Sequence, residues 1–254
     1  MNINELREYW KSEEEKAHII GWDFSYIEGR YESEEDSLPW DYAHVVKKYL
    51  RKTDRILDVD TGGGEFLLSL GHPHELTSAT EGYPPNVKLC LERFAKLGID
   101  FHEMNDHKNM PFDDESFDMI IDRHGSYDES ELYRVLKPGG VFITQQVGED
   151  NDRELVEMLL PDVPKQYVGH DLTHCLQKLE NAGFIILESN EAHPPIRFFD
   201  TAALVWFAKI IEWEFVGFSV DKCFEQLMVV ENEIKQKGYV CANVHRFYIA
   251  AKKL

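Results

Sequence analysis

The run Asp58-Val59-Asp60-Thr61-Gly62-Gly63-Gly64 puts two carboxylates and a hydroxyl directly ahead of three glycines. Glycines at a tight turn adopt positive φ and let a ligand approach the backbone, and a helix starting behind them offers unpaired N–H groups. That is binding chemistry for a nucleotide-like ligand. Glu81, followed by Gly82, comes about 20 residues later, the interval at which a doubly wound fold places a carboxylate on ribose hydroxyls. Further on, Asn105-Asp106-His107 supplies an acid and an imidazole, and Arg123-His124-Gly125-Ser126-Tyr127 brings a guanidinium, an imidazole and a phenol close together. His124 is a side chain suited to proton transfer near neutral pH, with Tyr127 as a second polar group nearby.

Such residues act together only if strands end where they stand. Ile56 to Val59 is a short apolar run enclosing an acid, and helical periodicity begins after the glycines. Leu76–Glu81, Ile99–Met104, Phe117–Asp122 and Val141–Gln146 read as further strands, with helices over Pro85–Leu97 and Asp128–Leu136 between them. Helices over Asp152–Leu160 and Asp171–Asn181 precede a strand at Phe184–Glu188, and His245–Ala250 supplies the last one. This alternation predicts an α/β fold: a doubly wound, mostly parallel seven-stranded sheet with an antiparallel last strand. His124 then falls at the carboxyl end of a strand beside the point where strand order reverses, where such sheets bind ligands.

Four segments follow from this reading: an N-terminal helical cover over 1–50, a ligand-binding core over 51–191, a helical insertion over 192–240 and a closing strand within 241–254. The cover is rich in aromatics, among them Trp10, Trp22 and Trp40; Asn4 is the expected cap of its first helix, and Ser37 with Pro39 the expected start of its second. Between those helices the acidic run Glu32-Ser33-Glu34-Glu35-Asp36 reads either as a solvated loop or as a lid. The insertion holds helices over Thr201–Ile211 and Asp221–Lys237, and an addition of that size carries specificity. Its aromatics, Trp206, Trp213, Phe215 and Phe218, are expected mainly as core, with a minority lining a ligand pocket.

The ordered set Asp58-x-x-x-Gly62-x-Gly64, Glu81, Asn105-Asp106, Pro111-Phe112-Asp113 through Ser116-Phe117-Asp118, and Leu136-Lys137-Pro138-Gly139-Gly140 resembles a class I S-adenosylmethionine-dependent methyltransferase of the small-molecule type, over roughly residues 50 to 190. The resemblance implies S-adenosylmethionine as cofactor, with Gly62 to Gly64 under its methionine part, Glu81 on the ribose and Asp106 on the adenine amino group. Asp58, Thr61, Gly82, His107 and Arg123 complete the implied cofactor set, and His124 with Tyr127 are the catalytic candidates. One position departs from the family pattern: Asp60 stands where glycine is usual, so its carboxylate either pairs with the ammonium of the cofactor or repels the neighbouring carboxylate and strains the turn. Leu67, at the place of the third glycine of a dinucleotide fingerprint, argues against an oxidoreductase.

Composition narrows the partners. A net charge of −20 repels phosphate backbones, and lysines and arginines come singly or in pairs, which argues against nucleic acid as acceptor and leaves an RNA methyltransferase as an alternative only. A non-catalytic S-adenosylmethionine-binding protein is the second alternative. The four cysteines have no C-x-x-C spacing and read as reduced thiols. His170 with His174 and His72 with His74 have no carboxylate or thiol at ligand spacing, so no metal is expected. Met1 to Lys16 lacks a basic start and an apolar run, and no stretch reaches spanning length; a cytoplasmic protein working on a small molecule away from the membrane is expected. Acceptor identity and oligomeric state are not written in these motifs. In a thermal-shift panel, S-adenosylmethionine should raise the melting temperature and NADH should not; the reverse would favour the oxidoreductase.

Overall fold

The computed structural model describes residues 1–19, 23–32 and 37–254. Trp22 and residues 33–36 of the acidic run lie outside the described residues. In chain order the elements are α1 (Ile3–Lys16), β1 (Tyr31–Glu32), α2 (Tyr42–Tyr49), β2 (Ile56–Val59), α3 (Glu65–Ser69), β3 (Thr77–Glu81), α4 (Pro84–Ala95), β4 (Asp100–Glu103) and β5 (Phe117–Arg123). There follow α5 (Glu129–Val135), β6 (Leu136–Val147), α6 (Arg153–Leu159), α7 (Leu172–Asn181), β7 (Phe184–Ala192), β8 (Pro195–Phe198), α8 (Thr201–Ile210), α9 (Phe224–Lys237), β9 (Val240–Asn243) and β10 (Arg246–Lys253).

Among the described residues the main sheet has seven strands in the order β4-β3-β2-β5-β6-β10-β7. β10 runs antiparallel to both neighbours, whereas the β2–β3, β2–β5, β3–β4 and β5–β6 pairs are parallel. The chain leaves β2 toward β3 and β4, then crosses back to β5, so the order reverses between β2 and β5. The carboxyl ends of those two strands therefore open the crevice that holds ligands in such folds. All four residues of β2 are buried, which is why the segment reads as an uninterrupted apolar run despite Asp58.

Each face of the sheet has its own core. Leu57, Ile120, Phe142 and Phe247 pack under α5 and α7, and Ile56, Ile121, Ile143 and Tyr248 pack under α2, α3 and α4. A third core was not evident in the sequence. It joins Leu6 and Trp10 of α1 to α8, α9, α6 and the second sheet, β1-β8-β9. α8 lies at its centre with nine of its ten residues buried, so the helix is apolar on nearly every side. Trp206, Phe215 and Phe218 belong to this core, whereas Trp213 is exposed.

Two caps differ from expectation. Asn2, not Asn4, caps α1, accepting from Glu5 N while the Glu5 carboxylate accepts from Asn2 N; this reciprocal pair moves the start back and leaves Ile3 exposed. α2 starts behind Asp41, whose carboxylate accepts from His44 N, rather than at Ser37. The seam between the N-terminal segment and the insertion is fastened by charge: Arg30 donates to both oxygens of Asp200 at 2.8 and 2.7 Å, and Asp200 also caps α8 through Ala203 N. Asp200→Ala removes cap and ion pair together and should cost about 1–2 kcal/mol in denaturant unfolding. Asp200→Asn, which can still cap, should cost less; the opposite order would show that the cap contributes little.

Candidate functional site

The glycine turn is held from the next strand. Glu81, at the end of β3, takes Gly62 N–H on Oε2 at 2.7 Å and Gly82 and Tyr83 N–H on Oε1 at 2.9 and 2.8 Å. One carboxylate thus ties the turn after β2 to the turn after β3. Gly62 has φ of 63°, and a Cβ built on it would meet nothing within 4 Å, so its backbone faces open space. Gly64, at φ 81°, is glycine for a second reason: a Cβ there would stand 2.3 Å from the Phe94 ring, which closes α4 onto the turn. Arg93 donates to Gly63 O and pairs with Glu65, and Cys90 Sγ donates to Gly62 O at 3.2 Å, so α4 grips the turn from behind.

Acids crowd this turn. Asp58 is buried and accepts from the Thr61 hydroxyl at 2.6 Å; burial pushes its carboxyl up to about 7, against the pull of Thr61 and with Asp60 and Glu81 adding to the rise. Burial also raises Glu81, against its backbone donors. Asp122, inside β5, is fully buried: Oδ1 accepts from Thr144 at 3.0 Å and Gln146 at 2.6 Å, and burial, then the charge of Asp60, drives it well above the usual carboxylate range. Nothing singled out Asp122 in the sequence; its one signal was an acid inside an apolar strand.

Asp60 resolves part of its own question. The residue takes up the left-handed conformation at φ 51°, as the family glycine would permit, and its side chain crosses from the end of β2 toward the end of β5. There Oδ2 accepts from Ser126 N at 3.0 Å, and His107 Nε2 lies 3.0 Å from the same oxygen and 3.1 Å from the other. The hydrogen bond to Asp60 raises His107 above its ordinary value, against burial. Gly125 makes room for the crossing, since a Cβ there would stand 2.6 Å from both Asp60 Cβ and Asp122 Oδ2.

The other expected residues divide. Asp106 is exposed and turned into its own loop, accepting from Lys108 N at 2.9 Å and Asn109 Nδ2 at 2.6 Å, contacts that hold it below the usual range. Gly82 sits where a Cβ would strike Met104 O at 2.6 Å, so β3 and the loop after β4 touch through it. Arg123 stacks over Phe66, its guanidinium carbon 5.5 Å from the ring centre. His124 has φ of 64°, and its Nε2 lies 3.2 Å from Gln145 Nε2. Trp40 Nε1 donates to Gln145 Oε1 at 2.8 Å, which fixes that amide and makes His124 Nε2 the acceptor, leaving the ring proton on Nδ1. Burial, followed by Arg246 and Arg123, keeps His124 well below its ordinary value, hence neutral. Tyr127 is on the other face: its ring packs edge-on to Phe142 at 5.0 Å, and burial lifts its phenol far above normal. The structure therefore does not bring the two catalytic candidates to one side of the sheet.

A cavity of about 660 Å³ opens beside this network, lined by Trp40, Tyr42, Phe66, Arg123 and Gln145 among others. It lies between the start of α2, α3 and the carboxyl ends of β5 and β6. The residues fit an adenosyl cofactor: an open backbone at Gly62, an acid beside it at a strand end, and a carboxylate-rich wall suited to a cation. The misfit is Asp60, which spans the crevice.

Residues 57–144 match the family model described as a methyltransferase domain. The chain is 34% identical over 98 residues to a phthiotriol/phenolphthiotriol dimycocerosates methyltransferase of Mycobacterium tuberculosis, a match covering 36% of each protein. It is 29% identical over 147 residues to a sterol 4-C-methyltransferase of Caenorhabditis elegans, covering 52% of this chain and 44% of that one. The matched stretch is thus less than half the length of either relative. A candidate methyltransferase from Bacillus halodurans superposes with a TM-score of 0.59 at 20% identity, over 84% of this chain and 98% of that one, which shows a shared fold. The stretch with the glycine turn is thus similar to a methyltransferase domain, and the sheet around it has the fold of that structure.

His107 has a titration that can be followed. Its folded value lies above the ordinary 6.5, so its stabilisation by Asp60 is complete below that pH and is lost as pH rises through the folded value. The stability difference between the native chain and His107→Gln should shrink as the pH rises above about 6.5 in chemical denaturation. A difference independent of pH would show that the pair contributes nothing.

Proposed function

We propose that the protein transfers the methyl group of S-adenosylmethionine to a small-molecule acceptor placed over the carboxyl ends of β5 and β6. The observation that carries this reading is the contact of Glu81 with Gly62 N–H at 2.7 Å, beside a turn whose backbone faces open space. A carboxylate has about four acceptor sites, and three are taken by loop N–H groups, so a ribose hydroxyl would use the fourth or displace one of them. The bound cofactor supplies an electrophilic methyl on a sulfonium. What the chain must add is orientation, with acceptor atom and methyl carbon held about 3–3.5 Å apart in line, and a setting that favours the positive charge. Asp58, Asp60, Glu81 and Asp122 supply that setting.

The acceptor would enter by the cavity of Trp40, Phe66, Arg123 and Gln145. Relatives named for lipid and sterol substrates support an acceptor of small-molecule kind, and the net charge of −20 supports one without a phosphate backbone. His124 is proposed as an orienting group rather than the base: its Nε2 is taken by Gln145, so the ring offers Nδ1–H to whatever faces it. Tyr127, packed beneath Phe142, is proposed to support the β5–α5 turn. Asp106 would lie at the adenine edge, on the loop after β4, with the His107 ring turned to Asp60.

Asp60 favours a second reading, a cofactor-binding protein without transfer, because its carboxylate bridges to Ser126 N where the reactive end of a ligand on the glycine turn would point. Incubation with methyl-labelled S-adenosylmethionine and a metabolite and lipid extract separates the two. Transfer expects a labelled product by mass spectrometry; binding alone expects none. Glu81→Gln should weaken S-adenosylmethionine binding by about 10–100-fold in calorimetry, through loss of a charged acceptor that also holds the Gly62, Gly82 and Tyr83 N–H groups. An unchanged affinity would remove Glu81 from the site.

A further inference from the structure

Beyond the cofactor crevice, three chain ends converge on a set of ligating side chains. Arg246, at the start of β10, is paired with Val147 on one side and Ala192 on the other. Asp150, in the turn after β6, His193, in the turn after β7, and His245, just before β10, all lie a few residues beyond that rung. Their ligand atoms fall within 4.8 Å of one another. Asp150 and His193 also line a separate cavity of about 410 Å³, with Arg153, Glu154 and Asn243. We propose that Asp150, His193 and His245 bind a divalent transition cation at this end of the sheet.

Three features argue for a built site rather than a chance grouping. His245 is buried, and its Nε2 lies 2.9 Å from the Glu191 carboxylate, the partner that holds a ligating imidazole in one orientation and tautomer. With the proton on that side, the Nδ1 lone pair is turned toward Asp150, where the only contact on it is a long 3.3 Å N–H from Asp150 itself, among the described residues. Room for the ring is made by Gly148: any Cβ there would stand 2.2 Å from His245 Nδ1. The His193 ring lies 4.3 Å from that of His245 on an exposed turn, with a nitrogen within 4.8 Å of the other two ligand atoms.

Lys165 is the competing charge, since it pairs with Asp150. It reaches Glu149 as well, at 3.2 Å, so it keeps a partner when Asp150 turns to a metal. Two imidazoles and one carboxylate are ligands of zinc and its neighbours rather than of calcium or magnesium, and three protein ligands leave a position toward the cavity for water or an oxygen ligand. The two histidine pairs picked out by spacing alone do not form such a set. His72 Nε2 is bonded to Asp54 O at 2.8 Å, and His174 to Asp171 at 2.7 Å.

The test is a titration of the full chain, free of any affinity tag, with Zn²⁺ by calorimetry and with Co²⁺ by visible absorption. One equivalent should bind, and Co²⁺ should give d–d bands. His193→Ala and Asp150→Asn, both on exposed side chains, should weaken Zn²⁺ by at least about tenfold and abolish the bands, whereas His174→Ala should change neither. Absence of binding, or binding equally strong in His193→Ala and Asp150→Asn, would overturn the proposal. The outcome does not depend on whether methyl transfer occurs.

Discussion

The clasp of Glu81 on the glycine turn is the contact on which the crevice depends. Without it, β3 would hold the turn after β2 through Thr80, which takes Thr61 N–H at 2.9 Å, and the N–H groups of Gly62, Gly82 and Tyr83 would need other acceptors. Its consequence is a concentration of negative charge. Burial raises the proton affinity of Asp58, Glu81 and Asp122, and the nearby carboxylate of Asp60 adds to each rise. Each is managed differently: Asp58 by Thr61 and a shift toward protonation, Asp122 by Thr144 and Gln146, Asp60 by His107 and Ser126. A pocket built this way is costly to keep anionic and becomes less so beside a cation, as a sulfonium would be.

Around that pocket the rest of the chain works as scaffold. α2 reaches the same strand ends through Tyr42, whose hydroxyl lies 2.9 Å from Asp122 O and 3.0 Å from Ile143 O, and through the Trp40–Gln145–His124 chain. The insertion and α1 share a core of their own, so the aromatics of the insertion are mostly consumed by packing. What lines the cavity beside Arg123 comes instead from α2 and α3. The wall of that cavity is therefore formed by Trp40, Tyr42 and Phe66, while Trp206 and Phe215 stay in the core of the insertion.

Legibility in the sequence followed the range of the forces involved. Gly62, Gly64 and Glu81 could be read because a turn and a strand end impose local residue types, and the parallel sheet because its strands are continuous apolar runs. Asp122 could not, since its partners Thr144 and Gln146 sit on another strand. The small sheet was invisible: β1 has two residues and β8 and β9 four each, too short for a periodic signal. The separation of His124 from Tyr127 was hidden as well, because the left-handed turn at His124 sends the next residues toward the opposite face. Asp150, His193 and His245 come from three distant turns, and only the antiparallel return of β10 brings them together.

The most direct measurement of the central claim is a crystal structure of the chain grown with S-adenosylhomocysteine. Density for the nucleoside against Gly62, with its ribose on the Glu81 carboxylate and Asp60 turned away from Ser126, is the expected result. A nucleoside bound elsewhere, or Glu81 still holding all three loop N–H groups with no ligand beside it, would contradict it.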